Sequence, residues 1–327
     1  MDKMQIGIMG YGNLGKGALK AVNQQADMEL VAVFTRRDPE SLQIHDPSVN
    51  VLHIGEAKNY TDKIDVMILC GGSATDLPRQ GPFFARLFNT VDSFDTHAAI
   101  PEYFASVDRV AQKSKKTNII SVGWDPGMFS LNRVMSEAIL PEGKTYTFWG
   151  EGLSQGHSDA VRRVEGVQDG VQYTIPSQAI IEKVRNGENP DAAKNERHVR
   201  TCYIVPEKNA DKTTIENTIK TMPNYFADYE TTVYFITEEE LQRDHVKMPH
   251  GGFVIRSGKT GTGNNEIVEY SLALESNPEF TASVVTAYAR AAHRLNKTGQ
   301  YGAKTVYDVP PSHISPLSGE ELRKNYL

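Results

Sequence analysis

Six residues near the start of the chain have the spacing of a dinucleotide-binding turn. They read Gly10-Tyr11-Gly12-Asn13-Leu14-Gly15, a G-x-G-x-x-G motif that follows an apolar stretch and opens a helical pattern. The first glycine permits the tight turn, the second lets a pyrophosphate approach the backbone, and the third lets helix and strand pack closely. Phosphates would then lie at the helix N-terminus. The motif therefore predicts dinucleotide binding, and the plainer interpretation is a structural glycine turn.

The residues after the second apolar stretch distinguish between cofactors. An NAD enzyme usually places Asp or Glu there to hold the ribose 2′-hydroxyl. This chain has Thr35-Arg36-Arg37 instead, and guanidinium groups grip a 2′-phosphate bidentately. The sequence predicts NADP, with a solvated basic loop as the alternative. Gly72 and Ser73 follow the third apolar stretch and are candidates to line the dinucleotide, or to form a plain turn.

Two carboxylates follow later apolar stretches, and both could serve chemistry on an amine. Asp95 follows one stretch, and Asp125 follows the next, within Trp124-Asp125-Pro126-Gly127. Pro126 and Gly127 predict a sharp turn that presents Trp124 and Asp125 to a cleft. Carboxylates beside a nicotinamide can hold a substrate ammonium and take its protons as it becomes an imine. The plainer interpretation is a helix cap or a solvated acid.

The elements that must position these residues alternate between apolar stretches and helical spacing. The predicted strands are residues 5–9, 30–34, 66–70, 90–94 and 118–122, and the predicted helices are 16–25, one near 82–88 and one starting near Pro101. This alternation predicts an α/β fold with a doubly wound parallel sheet of the Rossmann type. Ligands of such sheets gather at the carboxyl ends of the strands, which is where the candidates above lie.

The pattern changes after Gly123, where longer segments alternate polar and apolar residues as a one-sided sheet does. They are residues 145–148, 199–205, 230–236, 252–257 and 266–274, followed by a helix at 281–296 and a short strand at 305–309. We expect a dinucleotide-binding domain at residues 1–122. A second α/β domain at 123–277, with a mixed or antiparallel sheet, would bind substrate and dimerise. Residues 278–327 would return to the first domain.

Composition limits the classes of function. The length of 327 residues suits about two domains. The net charge of 35 − 41 = −6 disfavours nucleic acids and anionic membranes as partners. We find no spanning apolar stretch and no secretory signal. Cys70 and Cys202 match no metal spacing and the histidines do not cluster, so we expect no metal and a cytoplasmic enzyme.

Longer motifs resemble the meso-diaminopimelate D-dehydrogenase family nearly from end to end. They are Tyr11-Gly12-Asn13-Leu14-Gly15, Thr35-Arg36-Arg37, Gly72-Ser73-Ala74-Thr75-Asp76, Gly123-Trp124-Asp125-Pro126-Gly127-Met128-Phe129-Ser130, Phe148-Trp149-Gly150, Gly152-Leu153-Ser154-Gln155-Gly156-His157-Ser158-Asp159, Met248-Pro249-His250-Gly251-Gly252 and Asn277-Pro278-Glu279-Phe280-Thr281-Ala282-Ser283. The resemblance implies oxidation of the D-configured amino centre of meso-2,6-diaminopimelate with NADP, giving L-2-amino-6-oxopimelate and ammonia. The reverse reaction would supply diaminopimelate for lysine and cell-wall synthesis. The resemblance also implies a homodimer.

The resemblance implies a role for each candidate residue. Asp95 and Asp125 would lie around the reacting amine. Close to the D-centre would lie Trp124, Trp149, Gln155, Gly156 and Asp159. The distal L-centre would be held by Thr174, Arg200, His250 and Asn277. Such donors suit a substrate that is an amino acid at both ends, because Arg pairs with a carboxylate and Asn accepts from an ammonium.

Two alternative functions remain open from the residues alone. One is an NADP-dependent dehydrogenase with a broader range of D-amino acids, which would have no charged distal site. The other is a non-catalytic dinucleotide-binding sensor, because the fold does not imply catalysis. Turnover of NADP with candidate amino acids distinguishes between the two.

Overall fold

The computed structural model describes residues 3–42, 44, 48–193, 195–223 and 225–327. The chain forms two compact units, one of Met1–Leu131 with Pro278–Leu327 and one of Asn132–Asn277. Residues 123–131 thus group with the first unit, beyond the expected boundary at residue 122. The physical reason is packing, because Leu131 lies against the hydrophobic core of the first unit.

The described residues form fourteen strands and eleven α-helices. In chain order the strands are β1 (Met4–Met9), β2 (Met28–Thr35), β3 (Val51–His53), β4 (Val66–Leu69), β5 (Asn89–Asp92), β6 (Thr117–Ile119), β7 (Gly143–Trp149), β8 (Gly152–Leu153), β9 (Val167–Pro176), β10 (His198–Pro206), β11 (Thr231–Phe235), β12 (His250–Thr260), β13 (Asn264–Leu274) and β14 (Gly302–Lys304). The helices are α1 (Asn13–Asn23), α2 (Leu77–Phe84), α3 (Ile100–Ser114), α4 (Met128–Ile139), α5 (Gln155–Arg162), α6 (Gln178–Arg185), α7 (Lys212–Lys220), α8 (Glu238–Asp244), α9 (Asn277–Lys297), α10 (Pro311–Ile314) and α11 (Gly319–Tyr326).

The first unit is a parallel sheet in the order β14-β6-β5-β4-β1-β2-β3. Its strands are buried on both faces, because alternate side chains point in opposite directions. In β4, for example, Val66 and Ile68 join one core with α1 and α9, while Met67 and Leu69 join the other with α2 and α3. The predicted doubly wound Rossmann-type fold is confirmed.

The second unit contains two sheets, in the orders β11-β10-β9-β8 and β13-β12-β7. Strand β10 runs antiparallel to β9 and parallel to β11, so the first of these sheets is mixed. Two parallel strands need a crossover connection, and α7 provides it between β10 and β11. The expectation of a second α/β domain with a mixed or antiparallel sheet is confirmed.

Several local predictions differ from the structure. The sequence prediction omits β3 and β9, and it starts α2 five residues late, at 82 rather than Leu77. The predicted strand at 305–309 is wrong. Those residues form a short 3₁₀ turn, in which the Thr305 hydroxyl accepts from the Tyr307 amide and the Asp308 carboxylate accepts from the Thr305 amide. This capping arrangement satisfies the backbone locally, and the strand lies just before it as β14.

Candidate functional site

The glycine motif forms a tight connection between β1 and α1 in the first unit. Gly10 has a φ of +97°, which favours glycine. A Cβ on Gly15 would lie 2.1 Å from the Gly10 carbonyl oxygen, so no side chain fits there. A Cβ on Gly12 would meet no protein atom within 4 Å, and no side chain caps α1 at Gly12. The N-terminus of α1 therefore faces open space, as a diphosphate requires.

The basic residues after β2 line a cavity of about 270 Å³ together with Gly10, Tyr11 and Gly12. Thr35 is buried, and its hydroxyl accepts from the Arg37 amide at 3.1 Å. The Arg37 guanidinium donates to the Tyr11 carbonyl oxygen at 3.1 Å. These contacts place a hydroxyl and a guanidinium group at one end of the glycine turn.

Asp76 holds the second guanidinium group of this cavity. Arg36 forms an ion pair with Asp76 at 2.8 Å and a second bond at 3.2 Å, and Asp76 also accepts from the Gly72 amide at 3.1 Å. Gly71 lines the cavity, and the Ser73 hydroxyl accepts from the Asp95 amide at 3.1 Å. The loop after β4 thus connects the basic end of the cavity to one candidate catalytic residue.

Asp95 and Asp125 follow neighbouring parallel strands, β5 and β6, at the same edge of the sheet. The buried carboxylate of Asp92 connects the two loops that carry them. Its Oδ1 accepts from the Phe94 amide at 3.0 Å and from the Ser121 amide at 3.1 Å. Asp92 lies within the strand predicted at residues 90–94, and no motif of the sequence gives it a role.

A third contact completes the surroundings of Asp92. The Tyr103 hydroxyl of α3 donates to Asp92 Oδ2 at 2.6 Å, and the Tyr103 ring stacks on Phe94 with centroids 4.2 Å apart. Burial raises the pKa of Asp92 to about 6, although all three hydrogen bonds favour the carboxylate. Next to Asp125, Trp124 is buried and packs edge-on against Phe129.

In the second unit, strand register brings Arg200 and Thr174 together. The two residues are opposite one another in the β10–β9 pair, and the Arg200 Nη1 donates to the Thr174 hydroxyl. Arg200 is only 8% exposed, and its Nε has no hydrogen-bond partner among the described residues. The guanidinium lies over the Tyr229 ring, 4.2 Å from its centroid. A buried cation with an unpartnered N–H is a ready site for an anion.

His250, the first residue of β12, is a neutral donor in this unit. Burial and the charge of Arg200 lower its pKa to about 4, although the backbone contact with Gly251 opposes the shift. Nδ1 lies 2.8 Å from the Gly251 amide and 3.2 Å from the Gly251 carbonyl oxygen, so the neutral ring has a backbone partner in either tautomer. A Cβ on Gly152 would lie 2.5 Å from the His250 Cα, so β8 approaches the histidine closely because of its glycine.

The remaining predicted site residues of the second unit each make separate local contacts. Trp149 stacks on His198 with centroids 5.2 Å apart, and its amide donates to His198 Nε2 at 2.8 Å. Asp159 forms an ion pair with Arg162 on α5 and is largely exposed. The Asn277 amide donates to the Met248 carbonyl oxygen at 3.0 Å, where α9 begins. Gly156 and Gln155 lie in the first turn of α5, and the Gln155 side chain is outside the described residues.

Comparison with known proteins agrees over the whole chain. The family described as diaminopimelic acid dehydrogenase C-terminal domain matches residues 123–276. The meso-diaminopimelate D-dehydrogenase of Ureibacillus thermosphaericus is 60% identical over 327 residues, which cover 100% of both chains. This chain belongs to the meso-diaminopimelate D-dehydrogenase family.

Two solved structures extend the comparison to bound ligands. The diaminopimelate dehydrogenase of Corynebacterium glutamicum in complex with DAP has a TM-score of 0.93, with 46% identity, and all of both chains is covered. An engineered D-amino acid dehydrogenase bound to NADP⁺ has a TM-score of 0.87, with 44% identity, over 99% of this chain and 100% of its own. The resemblance of the motifs to this family is therefore confirmed.

The family assignment gives the missed residues a context. Asp92, Tyr229 and His198 each contact a predicted site residue or the loop that carries one. Only the tertiary structure identifies them, because none lies in a motif of fixed spacing. Among the described residues, no group of three or more His, Cys, Asp or Glu is placed to hold a metal ion, and no helix is long and apolar enough to span a bilayer.

The raised pKa of Asp92 predicts a pH-dependent effect of Asp92→Asn. The pKa of Asp92 is raised from 3.8 to about 6 in the folded protein, so this carboxyl ionises at lower pH in the unfolded chain than in the folded one. The stability of the wild-type protein therefore falls as pH rises through this range. Asp92→Asn keeps an acceptor for the Phe94 and Ser121 amides but cannot ionise. The urea-unfolding free energy of the variant, relative to wild type, should rise by about 2 kcal/mol between pH 4 and pH 7.

Tyr103→Phe is the matched control for this measurement, because it removes the hydroxyl contact and keeps the carboxyl. Its difference from wild type should vary less across the same pH range. A difference for Asp92→Asn that is constant with pH would contradict the assignment of a delayed ionisation to Asp92.

Proposed function

We propose that the protein oxidises the D-centre of meso-2,6-diaminopimelate with NADP, giving L-2-amino-6-oxopimelate and ammonia, and catalyses the reverse reductive amination. The observation that carries this proposal is the buried guanidinium of Arg200, whose Nε lacks a partner among the described residues. A substrate without a distal carboxylate would leave that N–H buried and unpaired, at a cost of about 1–3 kcal/mol. A diaminodicarboxylate would satisfy it.

The residues of the first unit fit NADP. The open N-terminus of α1 at Gly12 would take the diphosphate, and Thr35, Arg36 and Arg37 would take the 2′-phosphate. When bound, the cofactor supplies the chemistry of hydride acceptance. The further cofactor contacts that we propose are Gly10, Tyr11, Asn13, Leu14, Gly15, Gly72 and Ser73.

Asp95 and Asp125 would act on the reacting amine. Both are at the carboxyl edge of the sheet that also carries the glycine turn. Their carboxylates would hold the substrate ammonium, and one of them would accept its proton, because an amine must be neutral before its carbon can lose a hydride. Orientation of the D-centre would fall to Trp124, Trp149, Gln155, Gly156 and Asp159.

The distal L-centre would bind to the second unit. Its carboxylate would accept from Arg200, from the Thr174 hydroxyl and from the neutral imidazole of His250, while Asn277 would accept from the distal ammonium. Because His250 stays neutral above about pH 4, Arg200 supplies the positive charge. This arrangement disfavours a broad D-amino acid dehydrogenase.

The proposal includes a cytoplasmic homodimer with no nucleic-acid partner. On α4, the side chains of Val134, Met135 and Ile139 are 49%, 58% and 65% exposed. Such an apolar surface supports contact with a second copy, and the net charge of −6 gives no attraction to nucleic acid.

The stereoisomers of diaminopimelate test the proposed substrate. NADP reduction should proceed with the meso isomer, because it combines a D-centre for oxidation with an L-centre for the distal site. The LL isomer has no D-centre, and the DD isomer misplaces its distal groups. Equal specificity constants for the three separated isomers would disprove the proposal.

The cofactor assignment predicts the effect of replacing both arginines. In Arg36→Gln/Arg37→Gln, the KM for NADP should rise by at least about tenfold while that for NAD changes little, because only NADP carries the 2′-phosphate and a charged bidentate contact contributes about 1.5–3 kcal/mol. Arg86→Gln, an exposed arginine outside the cavity, is the control. Wild-type enzyme that used NAD as well as NADP would refute the assignment.

The role of the carboxylates predicts a loss of turnover without loss of cofactor. Asp125→Asn should lower kcat by on the order of 10²-fold, the usual contribution of a positioned general base, and Asp95→Asn by as much or less. The Kd for NADP should stay near the wild-type value, because the glycine turn is unchanged. Asp62→Asn, an exposed acid, serves as the control. Normal kcat values in both variants would remove the carboxylates from the mechanism.

A further inference from the structure

Tyr229 lies beside Arg200 because of the register of two strands. The Arg200 amide donates to the Glu230 carbonyl oxygen at 2.8 Å, and Arg200 pairs with Thr231 at the start of β11. Tyr229 therefore lies two residues before β11, next to the arginine. Its own backbone is fixed, since its amide donates to the Phe226 carbonyl oxygen at 2.9 Å and its carbonyl accepts from the Thr231 hydroxyl at 3.2 Å.

The Tyr229 ring covers one face of the guanidinium. The Arg200 Cζ lies 4.2 Å from the ring centroid, which is the geometry of a cation–π contact. Burial lowers the pKa of Arg200, and the Tyr229 side chain opposes that effect through its charge and a hydrogen bond. The contact also restricts rotation of the planar group about its stem, because a rotated plane would collide with the ring.

The contacts on the guanidinium leave one particular edge for a ligand. Nη1 donates to Thr174, whereas Nε has no partner among the described residues. The edge that contains Nε also contains Nη2, and this protein uses that same edge elsewhere to grip carboxylates. Arg290 holds Asp27 through Nε at 2.6 Å and Nη2 at 2.7 Å, and Arg185 holds Glu269 at 2.8 and 2.6 Å.

We propose that Tyr229 is a specificity-determining positioning residue, whose ring fixes the Nε–Nη2 edge of Arg200 toward the distal carboxylate of the substrate. The inference rests on the proposed function, since it presupposes that the distal carboxylate binds at Arg200. Tyr229 acts on recognition of the distal group and leaves the reacting centre unchanged.

The test compares Tyr229→Leu, Tyr229→Phe and a matched control. Tyr229→Leu should raise the KM for meso-diaminopimelate about 10- to 30-fold with kcat retained. This fold-change corresponds to the loss of one desolvated cation–π contact. Tyr229→Phe keeps the ring and should stay within about threefold of wild type. The control is Tyr234→Leu, which removes a half-exposed tyrosine of β11 that stacks on Tyr203, and its KM should not change.

A second substrate separates recognition from general damage. D-leucine has no distal carboxylate, so Tyr229→Leu should leave its kcat/KM unchanged and lower the ratio of meso-diaminopimelate to D-leucine. An equal fall for both substrates, or a fall in kcat with an unchanged KM, would overturn the proposal. Equal melting temperatures of Tyr229→Leu and Tyr234→Leu would show that the folded state is retained, and a lower one for Tyr229→Leu with both substrates impaired would count against the proposal.

Arg200→Met distinguishes failure of this inference from failure of the proposed function. If Arg200→Met leaves the substrate ratio unchanged, the distal carboxylate does not bind there and both proposals fail. If Arg200→Met lowers the ratio and Tyr229→Leu does not, only the role of Tyr229 is wrong. If Tyr229 acts through the guanidinium, Arg200→Met/Tyr229→Leu should show no loss of ratio beyond that of Arg200→Met.

Discussion

A buried guanidinium group is the constraint on which the proposed substrate site depends. A cation so shielded from water is tolerated only when its surroundings compensate for the lost hydration. The protein supplies a hydroxyl from Thr174 and an aromatic face from Tyr229, and it leaves Nε without a partner among the described residues. In the proposed function the distal carboxylate of the substrate would complete the compensation, and this requirement would make the site selective.

The two units position their predicted site residues in different ways. The parallel sheet of the first unit places the carboxyl ends of its strands at one edge. The glycine turn, the Thr35-Arg36-Arg37 segment and the two carboxylates follow those strand ends and therefore lie at that edge. In the mixed sheet of the second unit, strand register decides which side chains meet. It places Arg200 opposite Thr174 in the β10–β9 pair and next to Tyr229, which precedes β11. Burial keeps His250 neutral, so His250 adds no second positive charge beside Arg200.

The sequence predicts those features that depend on local pattern. The glycine spacing, the Thr35-Arg36-Arg37 segment and the alternation of strands and helices each carry a recognisable signal, and the fold class follows from them. Register and burial carry no such signal. Asp92 looks like any acid at a strand end until its hydrogen bonds to Phe94 and Ser121 are seen, and the strand prediction at 305–309 overlooks the local cap at Thr305. Tyr229 and β9 were missed for the same reason, because long-range pairing decides them.

A crystal structure of the protein with NADP and meso-diaminopimelate would show directly whether the distal carboxylate binds at Arg200. The distance to be measured joins the distal carboxylate of the substrate to the Nε of Arg200. A carboxylate oxygen should lie within about 3 Å of Nε, the length of an ordinary N–H···O hydrogen bond. A distal carboxylate bound elsewhere, with the Arg200 Nε still unpartnered or satisfied by another protein group, would contradict it.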